Sequence, residues 1–188
     1  IKDYDEIPFF ANQKKIILRN CGLINPEDIM EYIGTGGYFP AFKAITSMEP
    51  EAVIEEVKRS GLRGRGGAGF PAGIKWEITK KASGEEKYIV CNADEGDPGA
   101  YMNRNEIESD PHALIEGMAL GAHVMGATEG IMYVRAEYPL AVQRFKKAVV
   151  DARERGLIGK NIFGSTFSFD LSYVEGARAF VCLSLIHI

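Results

Sequence analysis

Six glycines fall within the thirteen residues from Gly61 to Gly73, in the run Gly61-Leu-Arg-Gly-Arg-Gly-Gly-Ala-Gly-Phe-Pro-Ala-Gly-Ile-Lys-Trp76. Glycine loses more backbone freedom on folding than any other residue, so a cluster this dense is poor material for a helix or strand interior. It serves where the chain needs left-handed torsions or must press bare backbone against a ligand. Arg63, Arg65 and Lys75 lie among these glycines. Backbone N–H groups beside fixed cations are the chemistry that holds phosphate. A solvated flexible loop is the competing explanation, but such loops favour Ser, Asn and Asp over paired Arg and an aromatic ring.

The segments around the loop decide which glycine motif it is. Gly64-Arg-Gly66-Gly-Ala-Gly69 matches G-x-G-x-x-G, the dinucleotide fingerprint, which requires a strand immediately before it. Here Pro50 to Ser60 precedes it, and Val53, Ile54 and Val57 fall on one helical face closed by Gly61. That is a helix, so the ordinary Rossmann reading is rejected. Gly69 is followed by Phe-Pro and not by Lys-Ser/Thr, which excludes a Walker A loop. Ala72 to Lys81 reads as another helix. A glycine loop between two helices can lie along an extended ligand, with Phe70 and Trp76 offering ring faces and Lys75 a charge.

From Lys87 the pattern becomes strand–helix–strand–helix–strand. Lys87-Tyr-Ile-Val-Cys91, Ile131 to Ala136 and Ser168 to Val174 are short and apolar, as buried parallel strands are. Asp110-Pro111 starts a helix running to about Met125, on which Ala113, Gly117 and Gly121 form a smooth stripe. Pro139 to Arg155 forms a second helix, ended by Gly156. Together these predict an α/β fold: a three-layer domain with a mainly parallel sheet covered by helices, Rossmann-like but with a non-Rossmann glycine loop. Upstream, Asn25-Pro26 starts a helix ending near Gly34, Tyr38 to Met48 forms another, and Lys14 to Cys21 reads as a short strand. Residues 1–50 are expected to form a helical N-terminal arm, and residues 51–182 the ligand-binding domain.

The second constellation is Cys91-Asn-Ala-Asp-Glu-Gly-Asp-Pro-Gly99, directly after the first strand. This is the carboxyl edge at which open α/β sheets bind ligands. Asn92, Asp94, Glu95 and Asp97 place an amide and three carboxylates within six positions, suited to the hydroxyls of a sugar or polyol. A divalent metal site competes, but the spacing with Pro98 fits no EF-hand and there is no His. Asx-turn chemistry and helix capping account for one or two of these residues, not four. One element suited to phosphate and one to hydroxyls point to a nucleotide or a flavin.

Composition narrows the classes further. The net charge of −4 over 188 residues argues against general nucleic-acid affinity. No apolar run approaches a membrane span, no signal peptide is evident, and the expected compartment is cytoplasmic. Cys21, Cys91 and Cys182 form no C-x-x-C pair, so neither a disulfide framework nor a metal cluster is indicated. His112 and His123 read as surface or core residues. The terminal Leu183-Ser-Leu-Ile-His-Ile188 is what a transposase-end adapter used in DNA library preparation encodes in one frame. Residues 183–188 are therefore expected to be a sequencing artefact, which resequencing the locus tests.

The glycine run together with Tyr88-Ile-Val-Cys-Asn-Ala-Asp-Glu-Gly-Asp-Pro-Gly-Ala-Tyr101 resembles the NADH-binding flavoprotein subunit of respiratory complex I. It is similar also to the diaphorase subunits of NAD(P)-linked hydrogenases and formate dehydrogenases. Ile131-Met-Tyr-Val-Arg-Ala-Glu-Tyr-Pro139 and Gly159-Lys-Asn-Ile-Phe-Gly164 add to the likeness, which covers about residues 16–182. The segment from Leu18 through Tyr38 looks more like the hydrogenase type. The resemblance implies bound FMN with NAD(P)H stacked on it, hydride passing between them, and electrons leaving singly for iron–sulfur clusters. It implies that Gly64, Arg65, Gly66 and Lys75 contact FMN, and that Asn92, Asp94 and Glu95 hold its ribityl and ring polar atoms. Gly67, Ala68 and Phe70 would face NAD(P)H, and Asp97 its nicotinamide ribose. A 4Fe-4S cluster would lie in a C-terminal part outside this chain. Implied partners are iron–sulfur subunits of an electron-transfer complex, a hydrogenase or formate dehydrogenase subunit among the candidates, without direct membrane insertion.

Three departures stand out. Ile78 occupies a position that is often aromatic in the family, Arg178 replaces a small residue, and the Gly-Glu-Glu loop expected after Phe180 is missing. The alternative from another class is a non-redox nucleotide-binding or structural subunit domain.

Overall fold

The computed structural model describes residues 6–65, 67–84 and 86–176. In chain order the elements are α1 (Ile29–Gly34), α2 (Phe39–Ser47), α3 (Pro50–Ser60), α4 (Ala72–Lys81), β1 (Tyr88–Ala93) and α5 (Met102–Ser109). They continue with α6 (Pro111–Met125), β2 (Glu129–Arg135), α7 (Pro139–Glu154) and β3 (Asp170–Gly176). The strands form an all-parallel sheet in the order β1-β2-β3. Proline opens α3, α6 and α7, where its missing N–H is no loss. Gly61 and Gly126 close α3 and α6 in the left-handed conformation.

One face of the sheet is buried. Ala93, Met132 and Val134 are at most 1% exposed and meet Ile115, Met118 and Ala119 of α6 and Phe145 of α7 in a single core. The helix-covered parallel sheet of the expected α/β domain is thus present. Among the described residues the helices pack on this face, and the other presents Tyr88, Val90 and Val174 to solvent. The small-residue stripe on α6 is used in part. A methyl group on Gly121 would sit 3.7 Å from Ile89 and 3.8 Å from Trp76, while one on Gly117 would meet nothing within 4 Å.

Residues from α1 and α2 share this core, with Ile29, Tyr32, Tyr38, Ala41 and Ile45 all buried. Two upstream expectations are corrected. Lys14 to Cys21 forms turns, not a strand, because no neighbouring strand is there to complete a ladder among the described residues. The first helix starts at Ile29, capped by Asp28, whose Oδ1 accepts the Met30 N–H at 2.9 Å. Asn25 instead closes an Asx turn, its Oδ1 accepting the Glu27 N–H at 3.0 Å.

His112, at the start of α6, is a core residue: it is 1% exposed and shares a 2.9 Å hydrogen bond between Nδ1 and the Tyr38 hydroxyl. Burial pushes its pKa from 6.5 down to about 4. Between those values only the unfolded chain takes up the proton. Its contribution to stability is therefore complete above about pH 6.5 and lost as pH falls toward 4, at about 1.4 kcal/mol per unit. Asp110 and Glu106, both pushed up by burial, act in the opposite sense nearer the carboxylate range. Urea unfolding at pH 7.5 and 5.5 is expected to show a loss of about 1 kcal/mol, abolished by His112→Gln. An equal loss in wild type and variant would remove His112 as its source.

Candidate cofactor site

The glycine loop is closed at its neck. Gly64 N–H donates to Phe70 C=O and Ala72 N–H to Leu62 C=O, both at 2.9 Å, and the Arg63 guanidinium donates to Gly69 C=O at 2.9 Å. Gly67 and Gly69 take φ values of +94° and +61°, which side-chain-bearing residues adopt at a cost. The closed neck spares the loop any need for core packing. Gly64, Arg65, Gly67, Ala68, Phe70 and Lys75 are accordingly exposed, and Gly66 lies outside the described residues. Neither Arg65 nor Lys75 has a salt-bridge partner among the described residues. Gly73 has a different task, seating α4 directly on the backbone of α3 at Lys58.

The acidic turn leaves β1 at its carboxyl end. Local structure uses two of its residues: Asn92 Oδ1 accepts the Asp94 N–H at 3.0 Å, and the Glu95 carboxylate accepts the N–H groups of Asn103 and Arg104 at 3.0 and 3.2 Å. Glu95 therefore caps α5 from outside the helix, where a negative charge complements the helix dipole. Asp94 differs. It is only 6% exposed, and its nearest cation, Arg135 Nε, stands 3.9 Å away, beyond hydrogen-bond range. No hydrogen-bond donor reaches its carboxylate among the described residues. Asp97 is exposed.

The loop precedes α4 and the turn follows β1. Lys87 Nζ donates to Lys80 C=O at 2.7 Å, fastening the last turn of α4 to the start of β1. The glycine loop lies at the far end of α4, about 15 Å along it, and the acidic turn at the far end of β1, about 20 Å along it. No hydrogen bond joins loop and turn among the described residues. An apolar cavity of about 250 Å³ lies elsewhere, between Ile33, Phe39, Phe42 and Leu157.

Three residues to which the sequence alone assigns no role gather at the turn: Arg104, Arg135 and Tyr138. The signal for Arg135 is the sheet register, because Ala93 pairs with Val134 and the next residues, Asp94 and Arg135, come level. Cys91 takes no part as a nucleophile, since burial pushes its thiol up to about 11. Ile78 is exposed, whereas Arg178 and the segment from residue 177 onward lie outside the described residues.

The sequence profile of the Nuo51 FMN-binding domain matches residues 57–184. The chain belongs to this family. A flavin asks for phosphate, polyol and ring contacts, and the donor set fits. Exposed Arg65 and Lys75, without a salt-bridge partner among the described residues, suit the phosphate, and the carboxylates of the acidic turn suit hydroxyls.

The chain is 57% identical over 170 residues to the NADP-reducing hydrogenase subunit HndC of Solidesulfovibrio fructosivorans, covering 90% of this chain and 34% of that protein. It is 39% identical over 184 residues to the F subunit of the NADH-quinone oxidoreductase of Aquifex aeolicus, covering 97% and 43%. A crystal structure of an NAD⁺-reducing [NiFe]-hydrogenase in the air-oxidized state matches with a TM-score of 0.65 at 29% identity, over 92% of this chain and 26% of the other. The chain thus spans about a third to two-fifths of the length of these curated relatives. Among the described residues no helix is long and apolar enough to cross a membrane.

Proposed function

We propose that this chain is part of an NAD(P)H dehydrogenase flavoprotein subunit of the hydrogenase-linked type, with FMN held between the glycine loop and the acidic turn. The observation that supports the reading is the pairing in one chain of exposed Arg65 and Lys75, which have no salt-bridge partner among the described residues, with an acidic turn directly after β1, where Asp94 is 6% exposed and 3.9 Å from Arg135 Nε. When bound, FMN supplies the chemistry, accepting hydride from NAD(P)H and releasing electrons singly to iron–sulfur centres. The protein's share is position and electrostatics. Arg65 and Lys75 bind the phosphate, the bare backbone at Gly64 and Gly66 contacts FMN, and Asn92, Asp94 and Glu95 hold the ribityl group and ring edge. Gly67 and Ala68 leave room for a second planar ring, Phe70 offers it a face, and Asp97 accepts from its ribose. Residues 51–182 carry these groups, preceded by the 1–50 arm. The partners are iron–sulfur subunits of a cytoplasmic electron-transfer complex.

The intact subunit is expected to be yellow after FMN reconstitution, absorbing near about 450 nm, and to reduce ferricyanide with NADH or NADPH. Lys75→Ala and Glu95→Gln are each expected to weaken FMN affinity at least about tenfold, one charge-assisted contact being lost in each. A colourless full-length protein would favour a non-redox subunit domain. Unchanged FMN affinity in both variants would take Lys75 and Glu95 out of the site.

A further inference from the structure

We propose that Arg135 and Tyr138 are positioning residues: they fix the acidic turn from the neighbouring strand and so set both the affinity for the flavin and its reduction potential. The inference rests on the FMN reading above.

Arg135 is the last residue of β2, and Tyr138 precedes α7. Arg135 Nη1 donates to the backbone carbonyl oxygen of Glu95 at 2.6 Å, and the Tyr138 hydroxyl donates to the same oxygen at 3.2 Å. That hydroxyl also stands 3.5 Å from Glu95 Oε2. One carbonyl therefore has two donors from outside its own segment, which fixes the peptide plane between the residues proposed to touch the cofactor. The rest of the Arg135 fork is held by Glu137, with Nε and Nη2 donating at 3.3 and 3.1 Å. The guanidinium carbons of Arg104 and Arg135 lie 5.5 and 5.6 Å from the Tyr138 ring centroid, within cation–π range. The ring is 9% exposed, so the cluster is built and not incidental.

Two separable effects follow. The hydrogen bonds to Glu95 are geometric and need the planar fork and the phenol. The charge is electrostatic, since among the described residues Arg135 is the nearest cation to the Asp94 carboxylate, at 3.9 Å. Removing that cation leaves net negative charge beside the flavin and disfavours the electron-rich reduced form.

The test uses the full-length subunit, stripped of FMN and titrated with it by flavin fluorescence, with the potential of the bound flavin read alongside the thermal midpoint. Arg135→Gln is expected to bind FMN at least about tenfold more weakly. It is also expected to make the bound flavin harder to reduce, by about 30 mV for a tenfold loss of preference for the reduced form in a two-electron couple. Arg135→Lys keeps the charge and restores the potential, but not the full affinity, because an ammonium cannot serve Glu95 and Glu137 as a planar fork does. Tyr138→Phe keeps the ring and is expected to lower FMN affinity about threefold, one neutral hydrogen bond, without moving the potential. If Arg135→Gln does not fold, Tyr138→Phe decides. Folded variants that bind FMN within twofold of wild type at an unchanged potential would overturn the proposal while leaving the FMN reading intact. A wild-type subunit that takes up no FMN would remove both.

Discussion

Replacing Glu116 with alanine is expected to cost about 3–5 kcal/mol of folding stability, the loss typical when one side of a buried charged contact is deleted. Glu116 lies on α6 and is 6% exposed. Its Oε2 accepts the Tyr32 hydroxyl at 2.5 Å and the Tyr38 N–H at 2.9 Å, and its Oε1 accepts the Ala41 N–H at 3.1 Å. Two of these donors are orphan N–H groups at the start of α2, so the carboxylate caps one helix from the flank of another. Truncation leaves three buried donors without acceptors. Glu116→Gln keeps the shape but has a single oxygen to offer, and its loss is expected to be intermediate. Urea unfolding followed by circular dichroism measures both, and a loss under about 1 kcal/mol for the alanine variant would contradict the assignment.

Gly73→Val is expected to cost about 3 kcal/mol, at the upper end for overpacking a tight contact, and to reduce FMN retention as well. A Cβ at residue 73 would stand 2.6 Å from Lys58 Cγ, 2.7 Å from Lys58 N and 3.0 Å from Lys58 Cα. Two of those atoms are backbone inside α3 and cannot rotate aside, so α4 must move. Lys75 is two residues further along α4 and the glycine loop directly precedes that helix, so the displacement reaches the proposed phosphate site. Gly117→Ala is the control. A Cβ there meets nothing within 4 Å, and alanine is the better helix former by about 1 kcal/mol. Equal melting of Gly73→Val and Gly117→Ala would show that close approach to Lys58 is not what demands glycine at 73.

Much of this architecture was legible because punctuation and periodicity agreed. Pro50, Pro111 and Pro139 mark helix starts, Gly61 and Gly156 mark ends, and the runs read as strands at 87–91, 131–136 and 168–174 overlap the strands observed at 88–93, 129–135 and 170–176. The helix before the glycine loop was decisive, since it excluded the Rossmann motif that the loop mimics. What escaped depends on distant partners. Met102–Ser109 has one buried residue, Ile107, and its N-cap residue Tyr101 makes no capping hydrogen bond through its phenol. It is helical because Glu95 caps it from upstream and α7 packs beside it. The run around Ile16 has strand composition, but a strand needs a neighbour. At the site, residue types announced phosphate and hydroxyl chemistry. The commitment of Glu95 to α5 and the grip of Arg135 and Tyr138 appear only once the strand register is known.

The spacing of the strands has a consequence for biogenesis. Tyr88 pairs with Glu129 and Glu129 with Asp170, so each ladder joins segments about forty residues apart. At about 5–20 residues per second on a ribosome, the newly emerged β1 waits roughly 2–8 seconds for β2, and β2 as long again for β3. Nascent polypeptides are therefore open to chaperone capture at two evenly timed stages, and slowing translation would lengthen both.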